Sequence, residues 1–254
     1  MHEPIRVGVD ERGDGAPYPQ AGRNRLIAPS AVSQLGTGSE VSPARLLAAL
    51  DDESVFMMGD NPRLARMPAE PTLFDVFRLR VNEFDRNHML QSAALALRAG
   101  HDERVVTACL LHDIAVGAFI RADHGYWGAQ LVAPYVDEEV AWAIRYHQAL
   151  RYFPDESVGY DYPAAYERYF GADFEPPEYV RRDAEEARRH RWYMTARLIT
   201  VNDVYAFDGA AHVELDEFTD IVGRNFRQPR EGLGFDGSPV AHMWRTIIWP
   251  NNFL

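Results

Sequence analysis

Nine residues constrain this chain more than any others. The apolar run Val105-Val106-Thr107-Ala108-Cys109-Leu110-Leu111 passes without a break into His112-Asp113. A segment of that composition buries itself, and here it carries an imidazole and a carboxylate inward with it. A buried carboxylate is costly unless a partner or a metal ion compensates it. Asp102 reads as the N-cap of a helix that sets Val105, Ala108, Cys109 and His112 on one face, so the fold is expected to bring partners to the doublet.

The same arrangement recurs along the chain. From Thr72 onward the patterning is helical almost throughout. It predicts one helix from about Thr72 into the 80s and a second, carrying His88, from about Arg86 to Ala99 with Gly100 as its stop. Asp123 is read as the cap of a helix from about His124 to Tyr135. Asp137 opens another, in which Val140, Ile144 and His147 line up. A long helix is expected from about Glu178 to Phe207. Its first half is a solvated face with opposite charges at Arg182/Glu186 and Glu185/Arg189, and its second half turns Trp192, Ala196, Ile199, Asp203 and Phe207 inward.

The expected fold is therefore all-α: a helical bundle over residues 72–209, a loop-rich C-terminal tail over 210–254 packed on it, and an irregular extension over 1–71. Within the extension, Ser42-Pro43 opens one short helix to about Leu50, and no chemistry is assigned to it. The stretch from Pro154 to Pro177 is an insertion dense in Tyr and Phe, with a short helix near Tyr162 to Phe170, suited to a lid or pocket wall.

Composition removes several classes of function. The net charge of −12 argues against nucleic acid or an anionic membrane as partner, since phosphate contacts need clustered cations. All 26 basic residues are arginines, which excludes Schiff-base chemistry, a lysine-anchored pyridoxal cofactor and a standard phosphate-binding P-loop. No run approaches the ~20 apolar residues of a membrane span. The lone Cys109 reads as a small core residue, in keeping with a reducing cytoplasm. Small molecules remain as partners; the oligomeric state has no sequence signature.

Four predicted helices thus each bring one histidine inward (His88, His112, His124, His147), with Asp113 beside His112 and Asp203 on a fifth. Bundles build metal sites by converging such groups from facing helices. Imidazole nitrogen with carboxylate oxygen suits Fe, Mn, Zn, Co or Ni. Four histidines and two aspartates exceed what one ion with an open position can use. Two ions bridged by a carboxylate fit better, and Asp113, central in the order, is the natural bridge. A single histidine on an apolar face is more often a satisfied core residue than a ligand. The His-Asp doublet with histidines 24 residues before and 35 after it is what favours a site. His2, His101, His190, His212 and His242 lack that support and are read as structural or exposed, His190 on the charged face.

At these residues the sequence resembles the HD-domain superfamily of all-helical metal-dependent enzymes, whose signature is a His, a His-Asp doublet and a distant Asp. The resemblance spans roughly Thr72 to Gly209. The stretches His88-Met89-Leu90-Gln91-Ser92-Ala93, Leu110-Leu111-His112-Asp113-Ile114, His124 with Gly128-Ala129, and His147-Gln148-Ala149-Leu150-Arg151-Tyr152 look like the oxygenase branch, which includes the phosphonate-cleaving HD oxygenases and, more remotely, myo-inositol oxygenase. That resemblance implies a mixed-valent pair of iron ions, Fe(II)/Fe(III). One would take His88, His112, Asp113 and Asp203, and the other Asp113, His124 and His147.

The activity so implied is oxidation of a small hydroxyl-bearing substrate by O2, with cleavage of a C–C or C–P bond. His112 and Asp113 stand at its catalytic centre, with Arg121, Arg145 or Arg151 to hold an anionic group and Tyr152 or Tyr160 to line the pocket. The phosphonate enzymes carry a lysine shortly after the fourth histidine, where this chain has Leu150 and Arg151. Their gating tyrosine and glutamate before the first histidine have no match among Arg78, Val81, Glu83 and Asp85. The alternatives are an HD-type phosphohydrolase using Mn, Ni, Co or Mg to generate hydroxide, and a non-catalytic ligand-sensing module.

Overall fold

Local capping signals set where the helices begin and end. In the computed structural model, which describes residues 64–117, 123–171 and 173–250, Thr72 closes a capping box with Asp75 at the head of α1 (Leu73–Leu79). Asn82 accepts the Asp85 amide and starts α2 (Glu83–Arg98), three residues earlier than the apolar pattern suggested. Gly100, at φ +74°, ends it, because a left-handed residue lets the chain fold back on the last turn. Asp102 accepts the Arg104 amide and opens α3 (Glu103–Leu111). The bundle continues with α4 (His124–Val132), α5 (Glu138–Leu150), α6 (Ala164–Phe170), α7 (Glu178–Arg188), α8 (Tyr193–Asp203), α9 (Thr219–Asn225) and α10 (Ala241–Ile248). Among the described residues there is no strand, only an isolated bridge between Asp155 and Tyr160.

The buried segment that opened the sequence reading is the centre of the core. Every residue of α3 from Val105 to Leu111 is buried, and the helix packs against α2, α5, α8 and α9. The tail joins the same core through Phe218, Phe226, Leu233 and Trp244, and the Trp244 indole donates to the Leu131 carbonyl at 3.1 Å. The short helix at 42–50, Arg121 and the last four residues lie outside the described residues.

Two sequence expectations about the long C-terminal helix are corrected. It is two helices, α7 and α8, broken at Arg189–Trp192. There the His190 ring accepts the Trp192 amide at 3.2 Å and stacks on Trp142 at 4.1 Å between centroids. A side chain that takes a backbone amide this way competes with the helical ladder. His190 is accordingly half-buried in an aromatic cluster instead of lying on the charged face. On that face, Glu185 and Arg189 do pair at 3.5 Å, but Glu186 accepts the Tyr146 hydroxyl and Arg182 turns to Asp183. The second correction is Phe207, which lies beyond the end of α8 and is 59% exposed.

Helices α4 and α5 approach closely at Gly125. A Cβ placed on Gly125 would meet the Ile144 and Arg145 carbonyl oxygens at 3.0 Å. These are backbone atoms, so relief requires the two helices to part. Gly125→Ala is therefore expected to lower stability by about 1–3 kcal/mol despite alanine's better helix propensity, read as a lower urea midpoint. It should also weaken metal binding, because His124 is the adjacent residue.

Candidate metal centre

Each of the six candidate ligands sits at or near the end of a helix. His88 is in the second turn of α2, His112 caps α3 at its C-terminus with Asp113 in the turn that follows, and His124 opens α4. His147 is in the last turn of α5, and Asp203 closes α8. Helix ends let these side chains leave the apolar stripes and meet at one point. The four histidines are at most 6% exposed and Asp203 is equally buried, whereas the Asp113 side chain is 19% exposed. Asp113 is therefore the most exposed of the six.

Ligand atoms converge in two groups. In the first, His88 Nε2 is 3.0 Å from Asp203 Oδ1, 3.2 Å from His112 Nε2 and 3.7 Å from Asp113 Oδ2. In the second, Asp113 Oδ1 is 3.2 Å from His124 Nε2 and 3.7 Å from His147 Nε2, and those two nitrogens are 3.3 Å apart. Ligands at right angles on metal bonds of about 2.1 Å stand about 3.0 Å from one another. The observed spacings are close to that. Asp113 belongs to both groups, and its Oδ1 is also 3.6 Å from His112 Nε2.

Tautomers follow from the partners of the outer ring nitrogens. The Nδ1 atoms of His88, His112 and His147 face the carbonyl oxygens of Ala206, Cys109 and Ile144 at 3.1, 2.7 and 2.6 Å. A carbonyl only accepts, so each Nδ1 carries the hydrogen and each Nε2 presents its ligand atom to the centre. Lone pairs of like kind aimed at one another repel unless a cation or a proton lies among them. Burial pulls the His88 pKa down, but the hydrogen bond and charge of Asp203, with Asp113 behind it, raise it to about 9. At His147, by contrast, burial dominates and the pKa falls to about 4 despite Asp113. Asp113 is held well below the usual carboxylate range: burial opposes ionisation, and His112 and His124 more than offset it. Asp203 is also lowered, by His88 against its own burial. The cluster is thus a hole for positive charge, with donors that suit Fe, Mn, Zn, Co or Ni.

The remaining candidates divide. Arg151 follows directly on α5, its guanidinium over the Tyr152 and Tyr166 rings at 5.3 and 5.4 Å. It donates to the Tyr152 hydroxyl at 3.3 Å, and its buried Nε has no hydrogen-bond partner. Among the described residues no carboxylate is within ion-pair distance of it. Tyr160 is buried, and its hydroxyl donates to the Arg151 carbonyl at 2.8 Å, so it supports Arg151 from behind. Arg145 is exposed on α5, packed over Tyr126 and Tyr146, and does not face the cluster. Cys109 is fully buried, and burial pushes its thiol up to about 12, which makes it inert.

Sequence reasoning missed three residues around the site. Arg197, fully buried in α8, donates to Leu150 O at 3.0 Å and to the Tyr193 hydroxyl at 3.1 Å, and pairs with Asp155 at 3.5 Å. It ties the insertion to the bundle. Tyr166 lies close enough to Asp203 and Asp113 that, with burial, their charges raise its hydroxyl pKa. Gln91 grips the backbone that follows α8. Apart from Tyr193, four residues before Arg197 on α8, their partners lie far away in sequence and leave no spacing signal.

Removing ligands tests the two-group arrangement. His147→Ala is expected to leave one tightly held ion and His88→Ala the other, whereas Asp113→Ala should lose both. The measurement is metal content per chain after gel filtration, and full occupancy in Asp113→Ala would refute its shared role.

Comparison with known proteins follows the same residues. No curated protein sequence matches this chain. Residues 86–193, under half of the chain, match the family model of the HD domain. That span holds five of the six converging ligands, and Asp203 lies beyond it. The match, with the all-helical architecture and the His and His-Asp ligands in register, supports membership of the HD-domain superfamily.

Proposed function

We propose that this chain is an HD-type di-iron oxygenase that uses O2 to oxidise a small, polar, hydroxyl-bearing substrate. The observation that carries the reading is the shared Asp113, whose Oδ2 faces His88 and whose Oδ1 lies among His112, His124 and His147. A four-histidine, two-carboxylate set of this kind has donors for two ions of the iron type. The first would be held by His88, His112, Asp113 and Asp203, and the second by Asp113, His124 and His147. When bound, such a pair supplies Lewis acidity towards a substrate hydroxyl and the electrons needed to engage O2.

The protein's own groups do the rest. Main-chain carbonyls hold three imidazoles in the tautomer that presents Nε2 inward. Asp113, the most exposed of the six, marks the side from which a substrate arrives. Arg151 is half-buried within the field of Asp203, its Nε has no hydrogen-bond partner, and among the described residues no carboxylate is within ion-pair distance of it, so an anion would complete its hydrogen bonding. It is therefore the group to bind a carboxylate, phosphate or phosphonate on the substrate. Tyr152, Tyr166, Phe170 and Phe174, in ring contact at 4.7–6.3 Å between centroids, form an aromatic wall beside Arg151 that excludes water.

A second reading, an HD-type phosphohydrolase holding Mn, Ni, Co or Mg, is favoured by the same Arg151, since a guanidinium fits a phosphate ester equally well. The two separate on redox behaviour. Protein purified without oxygen and partially reduced should show the EPR and Mössbauer signature of a coupled Fe(II)/Fe(III) pair, and should consume O2 in a screen of hydroxylated anions. Phosphatase turnover with a redox-inert ion would sink the oxygenase reading. Ligand binding without either turnover would point to a sensor.

Within the oxygenase reading, Arg151→Met should raise KM for the anionic substrate about 10- to 100-fold, the equivalent of one charge-assisted hydrogen bond of about 1.5–3 kcal/mol. kcat should change far less. An unchanged KM would remove Arg151 from the substrate site.

A further inference from the structure

The segment just after α8 is strapped across α2, and the strap reaches the metal centre. Gln91, one turn after His88 and 8% exposed, reads both backbone groups of Asp208. Its Nε2 donates to the Asp208 carbonyl at 2.9 Å, and its Oε1 accepts the Asp208 amide at 2.9 Å. Two residues back, the Ala206 carbonyl accepts from His88 Nδ1. Between them, the Phe207 ring stacks on the His88 imidazole with centroids 4.3 Å apart and planes 14° from parallel. The strap thus supplies both the hydrogen-bond acceptor and the stacking surface that orient this histidine. Its start is Asp203, which belongs to the same ligand group.

Apart from the buried Ala206, 1% exposed, little else holds the strap. Phe207 is 59% exposed, and so is its other ring neighbour, Phe84, at 64%. The Ala206 amide makes only a local turn bond to Asp203 O at 3.0 Å. Beyond its contacts with His88 itself, the paired bonds from Gln91 are the strap's long-range hydrogen bonds. They need a side chain that donates and accepts at glutamine's length; Met or Leu at this position offers neither function.

We propose that Gln91 is a positioning residue for the metal centre, which fixes the Ala206–Asp208 strap and thereby the tautomer and ring plane of His88. It rests on the metal reading of the cluster, and it predicts an asymmetric effect. Loosening the strap disturbs the ion held by His88, His112, Asp113 and Asp203, and leaves the His124 and His147 group intact. Loss of such an outer partner typically lowers metal affinity about 10- to 100-fold.

The test is titration of the full-length, metal-free protein with Co(II), followed by visible absorption and metal analysis. Gln91→Met should weaken one of two Co(II) ions by that factor and leave the other at its wild-type affinity. Deuterium exchange in the 204–210 segment should speed up. Asp208→Pro, which removes the amide that Gln91 accepts and leaves α2 untouched, should give the same asymmetry even if Gln91→Met folds poorly. Equal weakening of both ions alongside a lower melting temperature of the metal-free protein would reduce Gln91 to a general packing role, and unchanged binding in both variants would overturn the proposal. A wild-type protein that binds a single Co(II) ion would refute the two-ion reading, while the Gln91 effect could still be read on that ion. Binding of none would refute both.

Discussion

The Asp113 carboxylate is the constraint on which the rest of the structure depends. It is a negative charge at the hub of four buried imidazoles and within the field of a second carboxylate, Asp203. No lysine exists in the chain to neutralise it, and among the described residues no arginine is paired with it. A cluster of this kind is stable only with positive charge inside it. That requirement explains why helices end or turn at one place, and why the outer ring nitrogens of His88, His112 and His147 are tied to main-chain carbonyls. An imidazole left to rotate would present either nitrogen, and the hole would lose its shape.

Support for the cluster comes from two directions. On one side, α3 is buried along its length and packs against α2, α5 and α8, the helices that carry His88, His147 and Asp203. On the other, the segments after α5 and α8 fold back over the site, each held by a long-range polar tie. Arg197 binds Leu150, Tyr193 and Asp155, which secures the chain around Arg151 and the aromatic insertion. Gln91 binds Asp208, which secures the strap over His88. The metal ligands and the residues beside the approach are thus fixed by different contacts.

Helix capping and apolar spacing carried most of what could be read in advance. Gly100 and Asp102 mark the turn between α2 and α3 because a left-handed glycine and a capping carboxylate are local devices. Asp137 and Asp123 stand at helix starts without making side-chain caps: Asp137 accepts from Arg104 and Asp123 from Tyr179. A residue type suited to capping was placed correctly, while its bond went to a tertiary partner. The break between α7 and α8 was illegible for a related reason. Nothing in the segment from Arg188 to Trp192 forbids a helix; the Trp142 and Trp192 rings around His190 end it.

The sequence by itself determined that the chain is helical, that His88, His112, Asp113, His124, His147 and Asp203 are carried on or beside apolar helix faces, and that their donor types suit a metal of the iron or zinc kind. Those properties depend on residue type and local spacing. Only the tertiary structure decided that five of the six form two groups sharing Asp113 with Asp203 against His88, that Arg145 is exposed while Arg151 is half-buried with an unpartnered Nε, and that the exposed Phe207 stacks on His88. Each of these depends on how separate helices cross and where their connecting segments return. Such long-range contacts leave no period in the sequence.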